Sequence, residues 1–334
     1  MSGIELTEDA GMVFPWHQAI WERLQDAHAR GRLPHALLLT GPEGVGKQQF
    51  AKRLAKSLLC GNRTPDGEAC GACQGCHLIQ AGTHPDFTRI EPEEAGKAIR
   101  IDTVRAFTDK EGFTSQAGGY KVTIIEPADA LNVAAANSLL KTLEEPVPWT
   151  VMMLITSKPG RLPATIRSRC QQVMFSTPER SSAQHWLDAQ GVKNSQLLLD
   201  LASGAPIKAL QLSDAETLDS RSALLDDFFG IHAKKLDPVL VATRWSKLDM
   251  SQVLPWMCGW VIDILRLKTT ASPPNLINSD QKERLQGLAG ELELKMLYQL
   301  LDAVYQSVRS LGTQLNAQMM LEKLLLNWAA CARK

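Results

Sequence analysis

Apolar residues recur at helical spacing from Pro15 to Ala29, and the run stops before Gly31 and Pro34. His35 to Thr40 (HALLLT) is a short continuous apolar run, the pattern of a buried strand. Lys47 to Leu59 returns to helical spacing, Phe87 to Ile90 reads as a second strand, and Asp102 as the cap of a helix beginning at Thr103. Val122 to Ile125 (VTII) predicts a third strand, Asn132 to Leu143 an Ala/Leu-rich helix stopped by Pro146, and Val151 to Thr156 (VMMLIT) a fourth strand. Strands alternating with helices predict an α/β fold, a mostly parallel sheet with helices on both faces. After about residue 172 the chain reads as helices, broken at Gly204-Ala205-Pro206 and at Ala271-Ser272-Pro273-Pro274. The expected organisation is an α/β domain over 1–170, a small helical domain over 171–212 and an all-helical domain over 213–334, with long Leu-rich helices from about Lys282 to Ala330.

Composition narrows the function classes. At 334 residues the chain suits two or three domains, and 44% hydrophobic with 22% charged residues is ordinary for a globular protein. Lys plus Arg (36) balances Asp plus Glu (36), so no overall cationic excess drives binding to nucleic acid, and such contacts require a local patch or partners. MSGIELTEDAGMVFPW lacks a basic segment followed by an apolar core, and no apolar run approaches the ~18 residues that span a bilayer. The expectation is a cytoplasmic protein whose seven cysteines stay reduced.

Two stretches carry chemistry. Gly41-Pro42-Glu43-Gly44-Val45-Gly46-Lys47-Gln48 matches the phosphate-loop pattern G-x-x-x-x-G-K through Gly41, Gly46 and Lys47, with Gly44 inside it. It lies between an expected strand and an expected helix, the context that such a loop requires. Its next position calls for a Ser or Thr hydroxyl to ligate Mg²⁺, and Gln48 brings a neutral amide instead. Cys60, Cys70, Cys73 and Cys76 form C-x9-C-x2-C-x2-C. Four soft thiolates at this spacing can close a tetrahedral shell around zinc, with Gly71 and Gly75 supplying turns. A complete shell leaves no open coordination position, so the expected zinc is structural, in an insert at 60–76. The tryptophans at 245, 256, 260 and 328 fall in apolar helical patterns and read as core.

The phosphate loop, the cysteine insert after its helix, the run Ala136-Asn137-Ser138-Leu139-Leu140-Lys141-Thr142-Leu143-Glu144-Glu145-Pro146 and the run Ile166-Arg167-Ser168-Arg169-Cys170 together resemble the bacterial clamp-loader subunits of DNA polymerase III. These are AAA+ proteins that load a ring-shaped sliding clamp onto primed DNA. The resemblance covers most of residues 15–210, and LNAQMMLEKLLLNW is similar to the end of the family's collar domain. It implies a P-loop domain, a helical lid and an oligomerising collar for the three segments. The implied partners are gamma/tau and delta subunits, with the sliding clamp and primer-template DNA met through the complex.

Within that family the nucleotide-site positions bear on activity. Active members place Asp then Glu after the third strand, where this chain has Glu126 then Pro127, with Asp129 two residues beyond. Where they carry an Arg in Gly-Ser-x-Arg, this chain has Gly204-Ala205-Pro206-Ile207, with Lys208 turned about 100° away along a helix. Together with Gln48, these departures imply little or no hydrolysis by this chain and no independent enzymatic activity. ATP or ADP bound weakly through Lys47 without turnover remains compatible. Thr156 matches the first sensor of the family, and Arg169 its arginine finger, which a subunit presents to the ATP of its neighbour. A chain without its own hydrolysis that keeps this Arg resembles the delta-prime class; the alternative is a working ATPase of the gamma/tau class. Arg105, Lys110 and Lys141 are candidate DNA-phosphate contacts. Nucleic-acid recognition through the cysteine insert has only Arg63 as a cation to support it.

Overall fold

Five strands pair in parallel in the order β2-β3-β4-β1-β5: β1 (Ala36–Thr40), β2 (Phe87–Ile90), β3 (Lys121–Ile125), β4 (Thr150–Thr156) and β5 (Gln171–Met174). This is a computed structural model that describes residues 13–94, 96–111, 115, 118–270, 273–311 and 316–331, with the side chains of 108–111 undescribed. Most of the amino-terminal stretch MSGIELTEDAGMVFPW, the side chain of the candidate contact Lys110, and Ala271-Ser272 at the start of one expected helix break lie outside the described residues.

Every residue of β1 and β4 is buried, as continuous apolar runs require when helices cover both faces of a sheet. The helices of the first compact unit, Met1–Ser182, are α1 (Gln18–Ala29), α2 (Lys47–Leu59), α3 (Gln74–Gln80), α4 (Ile101–Glu111), α5 (Val133–Glu144) and α6 (Ala164–Arg167). The expected strands and helices occur within a residue or two of their sequence positions, with three differences. Asp102 lies inside the first turn of α4 rather than capping it, because the helix begins at Ile101, two residues before Thr103. Cys76 sits on α3, a helix that the polar, Gly-rich sequence did not announce. Strand β5, only one of whose four residues is buried, carries no apolar run to reveal it, yet it pairs with β1 along Leu37↔Gln171 to Thr40↔Met174.

Helix α5 shows how local chemistry and packing agree. Asn132 caps it, its side-chain oxygen accepting from the Ala135 N–H at 2.8 Å. Ala135, Ala136, Leu139 and Leu143 then recur at helical spacing and bury their side chains with Ile166 of α6 and Leu154 of β4 in one core.

The second compact unit, Ala183–Lys334, has helices and no strand among its described residues. Helix α7 (Arg180–Ala189) enters it, followed by α8 (Ser195–Leu201), α9 (Pro206–Gln211), α10 (Ala215–His232), α11 (Pro238–Trp245), α12 (Met250–Thr269), α13 (Lys282–Glu291), α14 (Leu294–Arg309) and α15 (Ala317–Ala330). Trp245, Trp256, Trp260 and Trp328 are all buried, as expected from their patterns. The Trp328 ring stacks on Phe228 at 3.9 Å, and its indole N–H donates to the Phe228 carbonyl at 2.7 Å, so its polar edge is satisfied inside the core.

Replacing Asn132 with Ala removes the α5 cap without touching the apolar face. Urea unfolding should show a loss of about 1 kcal/mol, with most of it restored by Asn132→Asp. An unchanged midpoint would mean that the cap contributes nothing.

Candidate functional site

Strand β1 delivers the chain at its carboxyl end into the Gly41–Gly46 loop, and α2 leaves from it. Neighbouring β4 ends level with it, Thr40 lying beside Thr156, so the candidate sensor stands next to the loop. The crevice at the carboxyl ends of the strands is where open α/β sheets hold their ligands. Two glycines are demanded by space as well as conformation. At Gly41 (φ 148°) an added Cβ would lie 2.0 Å from the Phe175 carbonyl oxygen, and at Gly46 (φ 99°) it would lie 2.8 Å from the rings of Phe14 and His17.

The loop lysine is turned inward. Lys47 is buried, and its Nζ donates to the carbonyls of Gly41 at 2.8 Å and Pro42 at 2.6 Å. Burial pulls its pKa below the usual lysine value, opposed by the charges of Glu43, Glu126 and Asp129. Gln48 hydrogen-bonds Glu126. That carboxyl is pushed upward by burial, against the pull of Arg89, the Gln48 bond and two lysines, and its Oε2 is buried without a protein hydrogen bond. The residue in the hydroxyl position of the loop is therefore engaged with the carboxyl that follows β3. Thr156 Oγ1 donates to Asp129 Oδ1 at 2.5 Å and accepts from the Lys158 N–H at 2.9 Å, and Ser157 donates to Glu43 of the loop at 2.9 Å. Asp129 and Glu43 thus join the site through contacts that strand spacing could not announce. Ile207 is buried on α9 and Lys208 is half-buried, both in the second unit.

The four cysteines converge. Their sulfurs all lie within 4.8 Å of one another, with Cys60–Cys70 and Cys73–Cys76 at 3.5 Å, Cys60–Cys73 at 3.7 Å and Cys70–Cys76 at 4.0 Å. A tetrahedron with metal–sulfur bonds of ~2.3 Å has edges of about 3.8 Å, so the cluster has the dimensions of a metal shell. Main-chain N–H groups lower the pKa of Cys70 and Cys73, the latter to about 6, whereas burial raises those of Cys60 and Cys76, the latter to about 12. Cys60 caps the end of α2 opposite Lys47, which puts cluster and loop at the two ends of one helix.

Arg169 follows α6 and stands two residues before Gln171, which pairs with Leu37 near the start of β1. It is therefore at the amino-terminal edge of the sheet, roughly 15 Å along β1 from its own loop. Its side chain is 35% exposed, Nη1 donating to the Thr165 carbonyl at 3.0 Å and Nη2 meeting Glu144 Oε1 at 2.5 Å. Arg105 and Lys141 are exposed.

A parallel sheet in this strand order, with a Gly-rich loop after β1 and a carboxyl group after β3, defines a P-loop fold of the AAA+ class. Residues 16–179 match the family model described as DNA polymerase III, delta subunit, and 215–330 the one described as DNA polymerase III, delta subunit, C terminal. The DNA polymerase III subunit delta' of Pseudomonas aeruginosa is 36% identical over 95% of this chain and 98% of that protein, and that of Escherichia coli 32% identical over 94% of each. A solved gamma subunit-related protein of DNA polymerase III from Thermotoga maritima aligns over 93% of this chain and 99% of its own at 16% identity, with a TM-score of 0.43. The chain belongs to the delta-prime subunits of the bacterial DNA polymerase III clamp loader. No helix among the described residues is long and apolar enough to cross a membrane.

His17 ties the loop to the segment before α1. Its Nε2 and the Trp16 Nε1–H both meet the Val45 carbonyl, at 2.9 and 3.0 Å, and burial lowers the imidazole pKa to about 4. In the unfolded chain the same group takes its proton near ~6.5. As pH falls through that window the unfolded state binds more protons, so stability present above ~6.5 is lost toward about 4, by roughly 3 kcal/mol at most. Urea midpoints measured across this range should fall less steeply for His17→Phe than for the parent. Equal slopes would show that His17 is not the group responsible.

Proposed function

We propose that this chain is the member of a clamp-loader complex that assembles and completes a neighbour's ATP site while turning over little or no ATP itself. The observation that carries this reading is the contrast between the two ends of the sheet. At the carboxyl end, Lys47 is spent on the carbonyls of its own loop and Gln48 on Glu126, so the groups that would hold phosphate and Mg²⁺ are engaged with the protein. At the amino end, Arg169 offers a partly exposed guanidinium too far from that loop to serve it. An Arg fork stabilises charge on transferring phosphoryl oxygens, and from this position only a neighbouring subunit's nucleotide is within reach. Nucleotide binding at Gly41, Gly44, Gly46 and Lys47 is weak on this reading, since phosphate must displace the internal bonds of Lys47. Thr156 keeps the sensor position but spends its hydroxyl on Asp129.

The remaining assignments follow from the family. Residues 1–170 form the P-loop domain, 171–212 the lid and 213–334 the collar that joins gamma/tau and delta subunits. The sliding clamp and primer-template DNA are met through the assembled complex, in the cytoplasm. Cys60, Cys70, Cys73 and Cys76 hold a structural zinc, whose role is to lock the insert rather than to act on substrate. Its four-sulfur shell leaves no open position for chemistry.

Two measurements test these assignments. Protein prepared without chelator should carry about one zinc per chain, and Cys73→Ser should lose the metal; a metal-free parent would refute the zinc. In a reconstituted complex with only this subunit altered, Arg169→Ala should leave assembly intact and cut clamp- and DNA-stimulated ATP hydrolysis in part. A finger is worth ~10³ to 10⁵ at the one site it completes, while the other sites keep running. Arg169→Lys should fail nearly as badly, because a point charge does not replace the planar fork. Clamp loading at the parental rate by a fully assembled Arg169→Ala complex would overturn the reading. Turnover by the isolated chain that disappears in Lys47→Ala would favour a working ATPase of the gamma/tau class.

A further inference from the structure

Glu144 is the last residue of α5, where the negative end of the helix macrodipole disfavours a carboxylate. The guanidinium of Arg169 offsets that cost, meeting Glu144 Oε1 at 2.5 Å through Nη2 while Nη1 donates to the Thr165 carbonyl at 3.0 Å. The two contacts fix the plane of the fork from two sides. Both supports are rigidly mounted. Helix α5 is capped by Asn132 and buries Leu139 and Leu143, and α6 buries Ile166 in the same core, against which Cys170 packs as the residue after Arg169. Glu144 is itself 49% exposed, and exposed ion pairs contribute little to stability. The consequence of this pair is therefore orientation: a long, rotamer-rich side chain at the sheet edge is held in one direction before any neighbour docks.

We infer that Glu144 is a positioning residue for Arg169, holding Nη2 while the Thr165 carbonyl holds Nη1, so that the N–H groups these two contacts leave over are presented to the phosphates of a neighbouring subunit's nucleotide. The inference rests on the trans role of Arg169 proposed above. Glu144 touches no nucleotide on this account and acts only through the arginine. The effect expected of its loss is on the rate of the stimulated reaction, because a misplaced charge-stabilising group slows chemistry more than it weakens ground-state binding.

The experiment compares reconstituted complexes carrying parental subunit, Glu144→Ala, Glu144→Gln, Arg169→Ala and the double variant Glu144→Ala/Arg169→Ala, each verified as assembled by size-exclusion chromatography. Clamp- and DNA-stimulated ATPase is measured as kcat and KM for ATP. Glu144→Ala should lose about half or more of the rate that Arg169→Ala loses, with KM changed by less than about twofold. Glu144→Gln, which keeps an oxygen acceptor for the guanidinium, should recover most of that rate. The double variant should be no slower than Arg169→Ala alone, since both changes remove one function. A parental rate in Glu144→Ala beside an impaired Arg169→Ala would overturn the positioning role and leave the finger standing. A faster Glu144→Ala would make the pair a restraint, and a double variant slower than Arg169→Ala would place Glu144 in other work; either result overturns the inference. A parental rate in Arg169→Ala would remove the finger and its positioning residue together.

Discussion

The close approach of two backbones at the end of β1 governs the Gly-rich loop end of this protein. The Phe175 N–H donates to the Thr40 carbonyl at 2.7 Å, extending the β1–β5 ladder to the point where the Gly41 loop begins. The Phe175 carbonyl then occupies the space that any side chain at residue 41 would need. On the other side, Gly46 is pressed against Phe14 and His17, and the His17 ring meets Phe14, Phe50 and Phe175 edge-on in one aromatic cluster. The loop is thus gripped from both sides by packing. Gly41 and Gly46 would be required even if no phosphate ever entered the loop, so its shape does not depend on the Ser or Thr hydroxyl that Gln48 replaces.

That grip extends along α2 into the cysteine insert. Arg53, buried on α2, lies over the Trp21 ring at 3.7 Å and donates through Nε to Glu68 of the insert at 3.0 Å. Ser57 donates to the Gly67 carbonyl at 2.5 Å and the Trp21 indole to the Asp66 carbonyl at 3.1 Å. The polar connection from Gly61 to Glu68 could not bury enough apolar surface to order itself. It is instead stapled to α1 and α2 at one end and closed by the four sulfurs at the other. A metal there would stabilise the helix that starts at Lys47, so insert and loop form one mechanical unit although they do unrelated chemistry.

How far the sequence could be read follows from which interactions are local. Continuous apolar runs such as HALLLT and VMMLIT announce buried parallel strands, and a four-cysteine spacing announces a cluster, because in each case neighbours along the chain carry the pattern. Strand β5 escapes because Gln171, Gln172 and Met174 face outward and only its pairing with β1 makes it a strand. Gln48 reads from the sequence as a missing hydroxyl, but its bond to Glu126 depends on how β1 and β3 are spaced by β4. The same holds for Asp129. Two residues beyond its expected place, it is turned by a short helical segment over Ala128–Ala130 to meet Thr156, and no rule of spacing predicts that.

The separation of the two sheet ends then decides what kind of component this chain can be. In a parallel sheet the strands share one polarity, so a loop following β1 and a residue preceding β5 must lie at opposite edges. Arg169 and Gly41 are separated by the length of β1 however the side chains rotate, since an arginine reaches only about half that distance. A self-contained nucleotide hydrolase needs its charge-stabilising groups around one phosphate. This topology sets Arg169 at the other end of the sheet from the loop, so the role proposed for it requires a second subunit docked on the amino-terminal edge. Whatever catalysis the arginine performs is therefore a property of the assembly, and losing the groups of the local site costs that contribution nothing.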